Sequence, residues 1–287
     1  MSVLINPFAP FDAALATAFK ASIQLALEED VGTGDVTGKL VPENEWVRAH
    51  VIVREAAVLC GAPWFEGVMK QLDARIKIEW HYAEGALMQP DSEVCAIEAP
   101  ARALLTAERA ALNFLQLLSG VATVTRDYVN MIAGTKARIL DTRKTLPGLR
   151  LAQKYAVRVG GGDNQRLALY DGILIKENHI AAAGGVTPAM QAALALQAGV
   201  SIQIEVENLA QLEEAIATGA RSVLLDNFSL AMMRDAVELV KGRAVLEASG
   251  GVNRDSVRKI AETGVDRISI GTLTKDVRAT DYSLRIL

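Results

Sequence analysis

The sequence predicts an α/β protein whose main part is a βα barrel, complete or partial, with an N-terminal α+β domain before it. Six short apolar strands alternate with helical segments. These strands begin near Ile139, Ile173, Ile202, Val223, Val245 and Ile268. The last four starts are 21, 22 and 23 residues apart, the length of one strand, one helix and two turns. An open doubly wound sheet is the alternative, but the repeat carries no glycine-rich dinucleotide fingerprint, which favours the barrel.

The composition describes a protein with a substantial core and no basic excess. Of the 287 residues 51% are hydrophobic, and the formal net charge is −4, so neither a nucleic acid nor a membrane is an expected partner. Cys60 and Cys95 have no metal-ligand spacing and are expected to be buried, reduced thiols. The N-terminus MSVLINPFAP lacks a basic segment followed by a long apolar run. We therefore expect a cytoplasmic protein.

The first part of the chain mixes helix and strand patterns. From Asp12 to Glu29 an apolar residue recurs at every fourth position, which predicts an amphipathic helix capped by Asp12. The glycine-rich DVGTGDVT that follows predicts a turn, because its spacing is not that of a calcium loop. Further strands are predicted at 46–54, 76–82 and 93–97, with a helix at 63–72.

A long helical pattern runs from Arg102 to about Ala133 and is predicted to break at Ser119-Gly120. We place the domain boundary at this break. The predicted division is an N-terminal α+β domain at 1–118, a barrel domain at 119–275, and a C-terminal tail at 276–287 that packs back on the N-terminal domain.

Polar residues follow all six predicted barrel strands. They are Asp141-Thr142-Arg143-Lys144, Lys176-Glu177-Asn178, Glu205 with Glu207, Asp226-Asn227, Glu247 with Ser249-Gly250-Gly251, and Gly271-Thr272. Because side chains alternate along a strand, Gln203 and Glu205 share one face and should point into the barrel. A single charge there is compatible with a structural ion pair. Six polar strand ends together favour an active site, since barrel enzymes place their chemistry at this end.

These residue types indicate the kind of substrate. Several arginines and lysines in one place suit a ligand with several carboxylate or phosphate groups. Carboxylates suit Mg²⁺ or sugar hydroxyls, and the SGG and IGT turns offer backbone N–H groups to a phosphate. No Ser-His-Asp or Cys-His pattern is present, and His179, the one histidine near a strand end, is expected to be structural.

A set of motifs across nearly the whole chain resembles the quinolinate phosphoribosyltransferase family, the decarboxylating enzymes of NAD synthesis. The motifs are GDVT, ERAALNFLQLLSGVAT, LDTRKTLPGLRLAQKYAV, GGGDNQR, LIKENHI, EVEN, LLDNF, LEASGG and ISIGTLTKD. The resemblance implies transfer of the phosphoribosyl group of phosphoribosyl pyrophosphate to quinolinate, giving nicotinate mononucleotide, CO₂ and pyrophosphate, with Mg²⁺ as cofactor. It also implies a homodimer or a larger assembly of dimers.

The resemblance further implies roles for individual residues. Quinolinate would be bound by Arg143, Arg166 and Lys176, together with Arg109 of the partner subunit. The catalytic residues would be Lys144, which faces phosphoribosyl pyrophosphate, and Glu205 and Asp226, which face its ribose hydroxyls and bind Mg²⁺. The 5′-phosphate would be held by the turns at Ser249, Gly250, Gly251 and Gly271. One position departs from the family, which usually has histidine where this sequence has Gln165; glutamine donates a hydrogen bond but carries no charge.

Three alternatives compete with this hypothesis. A sister family associated with molybdenum transport shares the fold, but the cationic LIKEN strand end and the complete DTRKTLPG favour the quinolinate enzymes. A barrel enzyme for a phosphorylated sugar would use the SGG and IGT turns without needing four cations. A ligand sensor or an assembly scaffold would bind quinolinate without turning it over.

Overall fold

The computed structural model describes residues 3–287; the first two residues of the predicted N-terminal domain lie outside this range. Its strands are β1 (Trp46–Val53), β2 (Ala57–Val58), β3 (Lys77–Trp80), β4 (Leu87–Met88), β5 (Ser92–Pro100), β6 (Arg138–Leu140), β7 (Gly172–Ile175), β8 (Ser201–Val206), β9 (Ser222–Asp226), β10 (Val245–Ser249), β11 (Arg267–Ser269) and β12 (Tyr282–Ile286). Its α-helices are α1 (Ala13–Val31), α2 (Ala62–Leu72), α3 (Ala101–Met131), α4 (Arg150–Val159), α5 (Glu177–Ala183), α6 (Val186–Ala195), α7 (Leu209–Ala217), α8 (Leu230–Val240), α9 (Val257–Ala261) and α10 (Thr272–Lys275).

The chain forms two compact units, each made of more than one segment of the sequence. The first contains the residues up to Arg126, Leu146–Gly161 and Thr274–Leu287, and the second contains Asp127–Thr145 and Gly162–Leu273. The segment carrying α4 therefore counts with the first unit, whereas the sequence placed it in the barrel. The domain bounds stay a prediction.

The second unit is built on a six-stranded parallel sheet in the order β6-β11-β10-β9-β8-β7. The first strand, β6, pairs with the last one, β11, which is how a winding sheet closes into a barrel. Between β6 and β7 only Asp163 bridges to Leu140 within the described residues, so the wall is incomplete there. The predicted partial βα barrel is confirmed, and the strand starts lie within one residue of those predicted.

The first unit contains an antiparallel sheet in the order β12-β1-β5-β3 with helices packed on it. Asp12 caps α1 as predicted, because its side chain accepts a hydrogen bond from the Leu15 N–H. Trp64 on α2 is fully buried, and the rings of Phe11, Phe19 and Tyr155 surround it with centroids 5.1–5.6 Å away. Aromatic burial of this kind is worth several kcal/mol per ring, roughly 3–5 kcal/mol for truncation of a buried tryptophan.

The predicted break at Ser119-Gly120 is wrong, since α3 runs without interruption from Ala101 to Met131. These small residues instead allow close packing. A Cβ on Gly120 would collide with the Arg278 carbonyl group. The Ser119 hydroxyl donates to the Cys60 carbonyl at 3.0 Å and lies 2.8 Å from the Tyr282 hydroxyl. The Ser-Gly pair therefore holds neighbouring segments of the first unit against the helix.

Two smaller predictions concern cysteines and membranes. Cys60 and Cys95 are both free and fully buried, as predicted, and burial raises the pKa of each thiol. Within residues 3–287 none of the helices combines the length and the apolar character needed to cross a bilayer.

Candidate active site

The segment after β6 turns immediately into polar residues that the structure fixes through Asp141. This carboxylate is fully buried and accepts hydrogen bonds from Asn164 Nδ2 at 2.6 Å and from the Gln165 backbone N–H at 2.9 Å. The bridge between Leu140 and Asp163 brings the two segments side by side. Asp141 thus fastens the residues just before Arg166 to the end of β6.

Lys144 lies at the same end of the sheet, against the end of β11. Its backbone N–H donates to Thr142 Oγ1 at 3.0 Å, and its side chain is exposed. A Cβ added to Gly271 would lie 3.1 Å from Lys144 Cδ. Glycine at 271 therefore leaves room for the lysine stem, and these two predicted site residues are brought together.

Arg143 and Arg166 form a second group of predicted site residues. Burial lowers the pKa of Arg166, and the nearby charge of Arg143 acts in the same direction. The Arg166 guanidinium group stays charged at neutral pH, because the ordinary pKa of arginine is far higher. Arg166 Nη1 donates to the Gly172 carbonyl at 2.8 Å, which holds this side chain at the start of β7. Two cations held near each other form a binding place for an anion.

Lys176 follows β7, Glu205 is the last residue but one of β8, and Asp226 ends β9. Lys176 Nζ lies 3.5 Å from Glu205 Oε2. Burial raises the pKa of Glu205, the Lys176 charge opposes this, and the Asp226 charge raises it further. The backbone N–H of Lys176 donates to His179 Nδ1 at 3.0 Å, so His179 has the structural role expected of it. The cation and both carboxylates thus lie near one another, as expected for polar residues at the carboxyl ends of neighbouring strands.

The glycine turn after β10 packs against the end of β9. The Asn227 N–H donates to the Ser249 carbonyl at 3.0 Å, and Asn227 Nδ2 donates to Asp226 Oδ2 at 2.8 Å. Gly250 has φ +99°, and a Cβ there would collide with the Asn227 side chain. Gly251 has φ +60°. Only glycine fits this close approach, which leaves the backbone of the turn accessible at the strand ends.

Residues that the sequence did not assign to the site connect it to the sheet interior. Gln165 Nε2 donates to Gln203 Oε1 at 2.9 Å, and Gln203 Nε2 donates to Glu247 Oε2 at 2.9 Å. The sequence placed Glu247 among the charges at the strand ends; this is wrong, because Glu247 is the third residue of β10 and is fully buried. The alternation of side chains along β8 predicted that Gln203 points into the barrel, but it did not predict which residue Gln203 contacts.

Arg109 belongs to the first unit and lies on α3, where its side chain is exposed. It is the one predicted site residue outside the second unit. Its assignment to the site of a partner subunit stays a prediction.

Two family models together match the chain from residue 35 to residue 285. The C-terminal domain of quinolinate phosphoribosyl transferase matches residues 121–285, and the N-terminal domain of the same enzyme matches residues 35–119. The chain belongs to the quinolinate phosphoribosyl transferase family. The family assignment made from the motifs is confirmed.

Individual relatives agree with this family across most of their length. The chain is 41% identical to a nicotinate-nucleotide pyrophosphorylase (carboxylating) of Mycobacterium leprae, over 96% of this chain and 97% of that protein. It is 39% identical to a probable enzyme of the same name from Bacillus subtilis, with 90% of each chain covered. The solved structure of the nicotinate-nucleotide pyrophosphorylase from Francisella tularensis superposes with a TM-score of 0.92 at 44% identity, covering 94% of this chain and 96% of that one.

Proposed function

We propose that this member of the quinolinate phosphoribosyl transferase family transfers the phosphoribosyl group of phosphoribosyl pyrophosphate to quinolinate. The products are nicotinate mononucleotide, CO₂ and pyrophosphate. Relatives that are similar to more than 90% of this chain are named after this reaction, which supports the proposal. The observation that carries it is the grouping of Lys176, Glu205 and Asp226 at the carboxyl ends of β7 to β9, with Arg143 and Lys144 after β6.

The cations suit a planar dicarboxylate. Arg143 lies close enough to Arg166 for its charge to lower the pKa of Arg166, and Lys176 directly follows β7. A bound dianion would offset this positive charge, and a guanidinium group can contact a carboxylate through two parallel hydrogen bonds. The proposed quinolinate ligands in this chain are therefore Arg143, Arg166 and Lys176.

The chemistry needs no nucleophilic side chain from the protein. The pyridine nitrogen uses its own lone pair to form the bond to the ribose anomeric carbon, and the C–O bond to pyrophosphate breaks with its electron pair leaving on pyrophosphate. The positive ring nitrogen then favours cleavage of the adjacent C–CO₂⁻ bond, whose electron pair stays on the ring carbon and takes up a proton. Glu205 and Asp226 beside the ribose would stabilise positive charge at the anomeric carbon in the transition state.

Mg²⁺ fits the carboxylate pair as a cofactor. The charge of Asp226 raises the pKa of Glu205, so the two carboxylates lie near each other. Within residues 3–287 no group of three or more histidine, cysteine, aspartate or glutamate side chains is arranged around a metal position. This agrees with Mg²⁺, which uses one or two carboxylates and takes its other oxygens from water and phosphates. When bound by Glu205 and Asp226, the ion would neutralise negative charge on the phosphate groups.

A second subunit would complete the site. Arg109 is exposed on α3, belongs to the first unit, and is the residue that the family resemblance assigns to a neighbouring site. We therefore propose a homodimer, or an assembly of dimers, in which Arg109 of the partner subunit contributes a fourth cation for the substrate carboxylates.

The test is an assay of the purified protein with quinolinate, phosphoribosyl pyrophosphate and Mg²⁺, following CO₂ and nicotinate mononucleotide. Nicotinate in place of quinolinate is the matched control, because it lacks the carboxylate that is lost. Formation of product from quinolinate but not from nicotinate supports the reaction. Binding of quinolinate without turnover would favour a sensor, and absence of both binding and turnover would contradict the proposal.

A further inference from the structure

A line of hydrogen bonds in the interior of the six-stranded sheet leads to Gln165. Gln203 on β8 and Glu247 on β10 are 7% and 0% exposed, and their side chains meet although β9 lies between their strands. Only side chains on the inner face of the curved sheet can meet in this way. Gln203 also contacts Gln165, so a buried carboxylate is connected to the residue that precedes Arg166.

The carboxylate at the end of this line determines the direction of both amides. A carboxylate oxygen accepts hydrogen bonds, whereas an amide has one donating and one accepting end. Because Glu247 accepts, Gln203 must turn its NH₂ group toward Glu247 and its carbonyl oxygen toward Gln165. Gln165 must then present its own NH₂ group to that oxygen. The order is Gln165 to Gln203 to Glu247, with both donor-acceptor distances 2.9 Å.

The backbone of Gln165 is held by a different group. Its N–H donates to Asp141 Oδ1 at 2.9 Å, and Asn164 donates to the other oxygen of the same carboxylate at 2.6 Å. Loss of Glu247 would therefore leave the backbone of Gln165 in place and affect the orientation of its side chain. The two contributions are separable by mutation.

On the basis of the proposed function, we propose that Glu247, acting through Gln203, is a positioning residue that orients the Gln165 amide beside Arg166 and thereby sets the affinity for quinolinate. The same contact can be made by glutamine or by the histidine that the family resemblance implies at position 165. The Gln203 carbonyl oxygen requires a hydrogen-bond donor there, and both residue types provide one.

A purely structural role would not require a carboxyl group at position 247. Burial raises the pKa of Glu247, and hydrogen bonds from Gln203 and Ser269 act against this shift. Burying such a group is costly compared with an apolar side chain of similar size. The protonated acid still keeps a carbonyl oxygen that accepts from Gln203, whereas a glutamine at 247 could present either end of its amide.

The test is a double-mutant cycle read out by calorimetric titration of quinolinate into the purified full-length protein. We expect Glu247→Gln to raise the dissociation constant for quinolinate at least fivefold and to leave that for phosphoribosyl pyrophosphate unchanged. In a Gln165→Ala background the same substitution should have no further effect. Ser222→Ala is the matched control, because Ser222 lines the same cavity of about 430 Å³ and has no hydrogen bond to Gln203 among the described residues.

Equal effects of Glu247→Gln in both backgrounds, equal effects on both substrates, or no effect would each overturn the proposal. If circular dichroism shows that Glu247→Gln does not fold, Gln203→Met carries the same cycle with the same expectations. A wild-type protein that binds no quinolinate would overturn the proposed function as well. One that binds and turns over quinolinate while the cycle is additive would overturn only the role of Glu247.

Discussion

Each unit contains a buried glutamate, Glu84 in the first and Glu247 in the second, and the two carboxylates have different kinds of hydrogen-bond partner. Glu84 is 2% exposed and accepts hydrogen bonds from the backbone N–H groups of Gly61 and Ala62 and from the Tyr155 hydroxyl. It therefore caps the N-terminus of α2, where the helix dipole favours negative charge. Glu247 instead contacts side chains that lead to the candidate active site.

The two buried carboxylates have different structural roles. In the first unit the carboxylate satisfies the N–H groups of a helix that begins at Gly61, a residue with no side chain to cap it. In the second unit the carboxylate orients an amide at the end of a line of side chains. We expect substitution of Glu84 to change the free energy of unfolding and substitution of Glu247 to change the affinity for substrate.

The largest expected effect is on catalysis. Arg143→Ala should lower kcat/KM for quinolinate about a thousandfold, roughly 4 kcal/mol, because the substrate carboxylate loses a charged hydrogen-bonding partner. The thermal midpoint should stay within a few degrees of wild type. Steady-state kinetics and a melting curve measure both quantities.

Arg221→Ala is the control for this change. Arg221 is exposed and precedes β9, whereas Asp226 ends that strand, and the contact of Arg221 is the Arg243 carbonyl group at 3.2 Å. Its kinetics should match wild type. If Arg143→Ala keeps normal turnover, Arg143 is not in the site, and if it unfolds the protein, the contrast between the two units fails.

The second effect is on stability and depends on pH. Burial raises the pKa of Glu84 from 4.5 to about 7. The folded state then binds the proton more tightly than the unfolded state, so the contribution is fully present below about pH 4.5 and is lost as the pH rises through about 7. The shift corresponds to about 3 kcal/mol of unfolding free energy. Urea unfolding at several pH values measures it.

Glu84→Gln removes this titration, so the difference in unfolding free energy between wild type and variant should change by about 3 kcal/mol between pH 4.5 and pH 8. Turnover per folded molecule should not change. Glu43→Gln, at an exposed glutamate, is the control and should give a constant difference. A constant difference for Glu84→Gln would mean that the pKa of Glu84 is the same in the folded and the unfolded state, which would contradict the prediction.

Much of the fold could be predicted because its signals are local. The repeat of strand and helix fixed the six parallel strands to within one residue of their starts, and Asp12 marked the start of α1. The break expected at Ser119-Gly120 failed because a Ser-Gly pair in a helix also permits close packing. Its partner, the Arg278 carbonyl group, lies far away in the sequence and left no local signal.

The site was predictable in part for the same reason. The carboxyl ends of parallel strands meet at one edge, so the grouping of Lys176, Glu205 and Asp226 followed from the strand pattern. The contact of Gln203 with Glu247 was not predictable, since it depends on the curvature that brings β8 and β10 together across β9. Glu247 was wrongly placed at the end of its strand, because β10 continues two residues beyond it.

The smallest expected effect would sharpen the role of position 165. In Gln165→His the imidazole N–H can donate to Gln203 as the glutamine does, so affinity for quinolinate at pH 8 should stay near wild type. Below the ordinary histidine pKa of about 6.5, the imidazole gains a positive charge beside the dicarboxylate. The ratio of variant to wild-type dissociation constants should therefore fall about threefold to tenfold between pH 8 and pH 5.5.

Gln165→Asn separates charge from geometry in this experiment, because it keeps an amide but cannot reach Gln203 in the same way. Its ratio to wild type should be unfavourable and independent of pH. A pH-independent ratio for Gln165→His would show that charge at position 165 does not reach the substrate. The orientation of the Gln165 amide by Gln203 and Glu247 would then remain the only contribution of this position that the calorimetric cycle could detect.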